Sequence, residues 1–136
     1  ELVELKSLDL GSDKHWVNDL RHLPGNFGRL EKLQSLNLAY NKLTEMEDSL
    51  GQLKQLQYLN LSYNKLLRLP EWLWNLTELK SLNLSGNQIT ELSEMWDRLT
   101  KLQSLDLAWN LITTPPDSLI KLNQLQSLHL AFNSLK

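Results

Sequence analysis

Residues 33–41 read Leu33-Gln34-Ser35-Leu36-Asn37-Leu38-Ala39-Tyr40-Asn41, and the phrase returns four more times. It reappears as LQYLNLSYN from Leu56, LKSLNLSGN from Leu79, LQSLDLAWN from Leu102 and LQSLHLAFN from Leu125, always 23 residues on. The shared pattern is L-x-x-L-x-L-x-x-N. A fixed period of this length marks a stacked repeat architecture. In such an array the surface is a set of columns, each holding one repeat position, so function is sought in columns rather than in a single motif.

Counting each unit from its opening leucine, positions 1, 4, 6, 11, 14, 18 and 21 are apolar. In the third unit they are Leu56, Leu59, Leu61, Leu66, Leu69, Leu73 and Leu76. The L-x-L alternation at positions 4 to 6 predicts a short strand with its leucines on one face. The later steps of four and three predict a short helical or 3₁₀ return. Strands that all run the same way must pair as a parallel sheet. One unit cannot enclose seven large side chains, but stacked units can, at roughly 1.5–3 kcal/mol per buried side chain before entropy. Asn41, Asn64, Asn87, Asn110 and Asn133 recur at position 9. A buried amide both donates and accepts, so these five are assigned to structure, tying each turn to its neighbour's backbone.

The phrase resembles the leucine-rich repeat signature L-x-x-L-x-L-x-x-N-x-L. Leu69-Pro70-Glu71-Trp72-Leu73 and Leu23-Pro24-Gly25-Asn26-Phe27 are similar to the L-P-x-x-L segment of its 23-residue subclass. That subclass occurs in intracellular eukaryotic scaffolds of the Ras and cell-polarity pathways and in many bacterial proteins. The longer plant receptor repeat and the cysteine-capped extracellular type are not matched. The resemblance implies an α/β solenoid, a curved right-handed horseshoe. Its parallel sheet would be concave and its short helical or 3₁₀ returns convex.

The whole chain, 1–136, is then expected to be one array of about six units: an irregular 1–32, then 33–55, 56–78, 79–101, 102–124 and a short 125–136. The first unit is five residues longer, and alignment places the surplus between Leu10 and Asn18, within Gly11–Val17. Pro115 falls at position 14, where Met46, Leu69 and Leu92 suggest a core site. Neither end carries a recognisable cap, which suggests an excised or engineered array.

Composition narrows the function. The chain contains no cysteine, which removes disulfides, thiolate chemistry and cysteine-bound zinc, and a reducing, cytoplasmic setting is expected. A net charge of −2 with scattered lysines gives no footprint for nucleic acid. No apolar run approaches the roughly 20 residues of a membrane span, and no signal peptide opens the chain. Acids such as Glu71 and Asp117 early in the returns, and bases such as Arg98 and Lys121 late, fit the helix dipole. Asp13, His15, Asp19 and His22 can be drawn as a metal cluster but lack a recognised ligand spacing. There is no phosphate-binding glycine loop and no nucleophile with a partnering base, so neither an enzyme nor a cofactor is expected. The sequons at Asn60, Asn75 and Asn83 read as chance matches.

Two columns are candidate partner sites. The inner face is assigned positions 2, 3, 5, 7 and 8, a small polar surface from which Tyr58 stands out, with Asp106 and His129 towards its end. Position 8 holds Tyr40, Tyr63, Gly86, Trp109 and Phe132, an aromatic rim along one edge of the sheet. Aromatics dominate binding hot spots, and Gly86 is expected to leave a notch for a partner side chain. The competing expectation is that each ring merely packs over its neighbour. On the convex side, Trp72 and Trp74 flank the core Leu73, and at least one is expected to be exposed, whereas Trp96 is expected in the core. A substitution at Asn60, on the inner face, is expected to be nearly neutral. The leading reading is a non-catalytic module binding another protein or peptide. The alternatives are a passive or engineered scaffold and a regulatory or targeting fragment of a larger protein.

Overall fold

The computed structural model describes residues 2–16 and 18–136. Val17, part of the expected surplus in the first unit, lies outside them. Six strands, β1 (Ser7–Asp9), β2 (Ser35–Asn37), β3 (Tyr58–Asn60), β4 (Ser81–Asn83), β5 (Ser104–Asp106) and β6 (Ser127–His129), form one parallel, unclosed sheet in chain order. The register places Leu36, Leu59, Leu82, Leu105 and Leu128 side by side, one per unit. Each crossover contains a 3₁₀ turn of at most five residues: Phe27–Arg29, Asp48–Gln52, Glu71–Asn75, Trp96–Arg98 and Asp117–Lys121. The returns are therefore 3₁₀ throughout, consistent with the preference of that helix for short pieces.

Between sheet and returns lies one continuous apolar core, with Leu33, Leu38, Leu53, Leu79, Leu84, Leu99 and Leu107 without solvent exposure. Position 14 sits at its margin. Met46, Leu69 and Leu92 are only partly buried, so exposed Pro115 leaves no hole, and Pro116 is buried in its place.

Trp72 and Trp74 are both buried, contrary to the expectation that one ring would face solvent. The cause is how neighbouring returns interlock. A Cβ at Gly51 would come within 2.8 Å of Trp72 Cβ, so the missing side chain in one unit makes room for the indole of the next. Trp74 meets the equally buried Trp96 edge to face, with ring centroids 5.1 Å apart.

The position-9 asparagines form a hydrogen-bonded ladder. Asn64 Nδ2 donates to Leu61 O at 3.1 Å within its own unit and to Leu38 O at 2.9 Å in the preceding one. Its Oδ1 accepts the N–H of Leu43, also in the preceding unit, at 3.0 Å. Asn87, Asn110 and Asn133 repeat this with the carbonyls of Leu61, Leu84 and Leu107 and the amides of Leu66, Ile89 and Ile112. Asn41 does the same with Leu10 O and the Leu20 amide. Each Oδ1 gives a backbone N–H its one partner, worth about 1–3 kcal/mol where that group is buried, and carbonyls such as Leu61 O and Leu84 O are shared by two successive asparagine amides.

In the first unit, Asn18 Nδ2 reaches back to Leu10 O and Gly11 O, both at 3.3 Å. Of the surplus segment, residues 12–16 lie between these anchors, with Asp13 and Trp16 bridged. Asp13 Oδ1 accepts the amides of His15 (2.8 Å) and Trp16 (3.1 Å), closing a tight turn, and leaves Trp16 80% exposed.

Candidate partner-binding surface

The strands place positions 3 and 5 on the concave face. Position 5 carries a second, shallower set of side-chain bonds. Asn37, Asn60, Asn83 and Asp106 each accept, through Oδ1, the backbone N–H two residues on, at 2.9–3.1 Å. Asn60 is therefore more than a solvated side chain, since it fixes the strand exit at Ser62, and a neutral substitution is not expected there. The Nδ2 groups of Asn60 and Asn83 have no partner among the described residues. Tyr58, 49% exposed, stands beside them over a shallow hollow of about 220 Å³ lined by Ser35, Asn37, Asn60, Ser81 and Asn83.

Position 7, also assigned to the inner face, is withdrawn from solvent in the middle units. Ala39, Ser62 and Ser85 are buried, while Gly11 and Ala108 are half-buried and only Ala131, in the last unit, is exposed.

Towards the end of the face, parallel pairing sets His129 beside Asp106, with Nδ1 3.6 Å from Oδ2. Ser127 Oγ is 3.4 Å from His129 Nε2. Only the strand register reveals this row, which supplies the nucleophile-and-base pairing that the sequence did not suggest. Both contacts are longer than the roughly 2.6–3.2 Å of an engaged catalytic pair, and they lie on an open face.

The rim is built on an unusual backbone. Tyr40, Tyr63, Trp109 and Phe132 have φ between 52° and 56°, and Gly86 has φ 66°. Position 8 is thus left-handed in all five units, a conformation that costs a residue with a side chain about 1–2 kcal/mol. The rings offset this by stacking, at about 0.5–1.5 kcal/mol per pair. Tyr40 and Tyr63 lie 4.4 Å apart and 9° from parallel, and Trp109 and Phe132 3.9 Å and 14°.

No notch opens at Gly86, because the Tyr63 ring occupies that space. The outer faces stay accessible all the same: Trp109 is 55% and Phe132 65% exposed. Burial beside Tyr63, together with that ring's proximity and the Asp13 carboxylate, holds the Tyr40 hydroxyl above the ordinary tyrosine range.

Side-chain charge is uneven along this rim. Lys14, Lys42 and Lys65 surround the tyrosine pair. Asp19 pairs with Lys42, and the hydrogen bond and charge of that lysine hold its carboxyl below the usual range. Of the four residues drawn above as a metal cluster, Asp13 and Asp19 are thus engaged in a backbone turn and an ion pair.

The profile described as "Leucine rich repeat" matches residues 4–66, 31–89 and 69–112. A comparison with curated protein sequences finds no match. Among solved structures, a leucine-rich-repeat protein of Leptospira interrogans superposes with a TM-score of 0.92 at 35% identity, over 99% of this chain and 33% of its own length. An internalin of Listeria monocytogenes gives 0.82 at 26% identity, over 99% and 44%. The plant peptide hormone receptor RGFR1, in complex with RGF2, gives 0.86 at 32% identity, over 98% and 22%. The chain spans less than half the length of each. With one repeat phrase, one asparagine ladder and one parallel sheet, and with the profile covering most of its length, the chain belongs to the leucine-rich repeat family.

Proposed function

We propose that the chain is a non-catalytic interaction module that holds an extended peptide or a loop of a partner protein against its concave sheet and aromatic rim. One observation carries this reading: the position-5 side chains are fixed by their own backbone while the amide donors of Asn60 and Asn83 are left unused beside exposed Tyr58. Donors held rigidly lose little entropy when a partner's carbonyl meets them. Trp109 and Phe132 add accessible aromatic area, and Asp106 and His129 add an acceptor and a titratable ring. A plant receptor of the same family was solved with its peptide hormone, and the family is broadly used for protein interaction.

A passive scaffold is the second reading. It is favoured by the paired stacking, which accounts for the rim aromatics through backbone compensation alone.

The test is selection of random peptides displayed on phage, followed by amide chemical-shift mapping of the enriched binders. Shifts on β2–β5 and the rim, lost in Tyr58→Ser, are expected. Tyr58 is a suitable probe because its ring is exposed and outside the stacked pairs. Shifts confined to the convex returns, or no enrichment at all, would leave the scaffold reading in place.

A further inference from the structure

The rim divides into two chemically different halves. At its first half, Tyr40 and Tyr63 line a shallow cavity of about 530 Å³ together with Lys14, Lys42 and Lys65. Arg21 also acts on this region through Asp19. Among the described residues Lys14, Lys42, Lys65 and Arg21 gather here with the carboxylates of Asp13 and Asp19, an excess of cations on a chain of net charge −2. Lys14 and Lys65 have no carboxylate within 4 Å among the described residues. At the second half, the position-10 column changes from lysine to Leu111, which is 50% exposed beside Trp109. Gly86 and Gln88 separate the halves.

Resting on the interaction reading above, we propose that the rim's partner is an extended acidic-apolar segment lying across the strands. Its carboxylates face Lys14 and Lys65 around the tyrosine pair, and its apolar side chain covers Trp109 and Leu111. Strand spacing sets the geometry. Tyr63 and Trp109 are two units apart, about 10 Å at roughly 4.8 Å per strand. An extended chain covers that distance in about three residues. The acidic half steers the encounter and fixes the orientation, while the apolar half supplies contact area.

The test is fluorescence anisotropy with three labelled peptides. The first carries an acidic pair, a polar spacer of about three residues and a leucine. The second has lysines in place of the acids, and the third has glycine in place of the leucine. The first should bind at least about tenfold more tightly than either control, with added salt weakening it. Lys14→Glu with Lys65→Glu should remove the preference for acids, and Leu111→Ser should remove the preference for leucine. Unchanged melting curves of these surface variants exclude unfolding as the cause. Equal binding of the lysine peptide, or binding indifferent to both sets of variants, overturns the proposal. If library-selected peptides still bind the concave strands, the interaction reading survives that result. If they do not, both fall.

Discussion

The ring of Tyr63 lies against the α-carbon of Gly86, so close that an added Cβ would come within 2.6 Å of Tyr63 Cδ1 and 2.8 Å of Cε1. The third and fourth units are thereby matched across the rim: one supplies a ring and the next supplies the space for it.

Gly86→Ala should cost about 1–2 kcal/mol, because a left-handed backbone acquires a side chain beneath a packed ring. In the background of Tyr63→Ser the same change should cost less, since the steric part is gone. A double-mutant cycle by urea unfolding measures the coupling. Additive costs would show that the ring does not rest on Gly86 in solution.

The two asparagine columns should separate by magnitude. Asn87→Ala orphans the buried Leu66 N–H and takes one of the two amide donors from each of Leu61 O and Leu84 O, so a loss of about 2–3 kcal/mol is expected. Asn83→Ala removes bonds to the Ser85 amide and hydroxyl on a half-buried face and should cost about 0.5–1.5 kcal/mol. Chemical denaturation of the two variants checks the order.

The convex tryptophans should behave as core residues. Trp74→Ala is expected to lose about 3–5 kcal/mol. Trp96→Phe should be much milder than Trp96→Ala, because the ring keeps most of its packing and the buried Trp96 indole N–H has no partner among the described residues, so its removal forfeits no hydrogen bond. Thermal melts of the three variants are sufficient.

What could be read from the chain was whatever one unit expresses alone. Leu36 and Leu38 flanking Asn37 announce a strand, and Asn41 announces the turn that follows, because periodicity and amide chemistry are local. The environments of Trp72 and Gly86 are set by the neighbouring unit. Gly51 accommodates Trp72, and Tyr63 fills the space above Gly86, and neither pairing follows from a column without knowing which positions oppose each other across units. The left-handed backbone at position 8 did leave a trace. A glycine interrupting a column of aromatics is the residue that this conformation suits best. The row of Ser127, His129 and Asp106 likewise needed the register of β5 and β6.

Tyr40 should be a late-ionising phenol. Its hydroxyl titrates above the ordinary tyrosine value of about 10, so the neutral form is favoured in the folded state. The associated stability is fully present below pH about 10 and is lost as pH rises through the folded value. Absorbance titration near 295 nm should show a late component that Tyr40→Phe removes. An unchanged titration curve would mean that the ring is not held against Tyr63.

The asparagine ladder gives the array a direction. Each amide reaches back: Asn64 completes the turn at Leu43, and Asn87 the turn at Leu66, each serving the unit already made. During synthesis a unit leaving the ribosome cannot finish its own turn, because the group that satisfies it has yet to be translated. Assembly is thus vectorial, each arrival locking its predecessor. A stall in translation should leave one open rung, always the newest, as the segment exposed to chaperones and proteases.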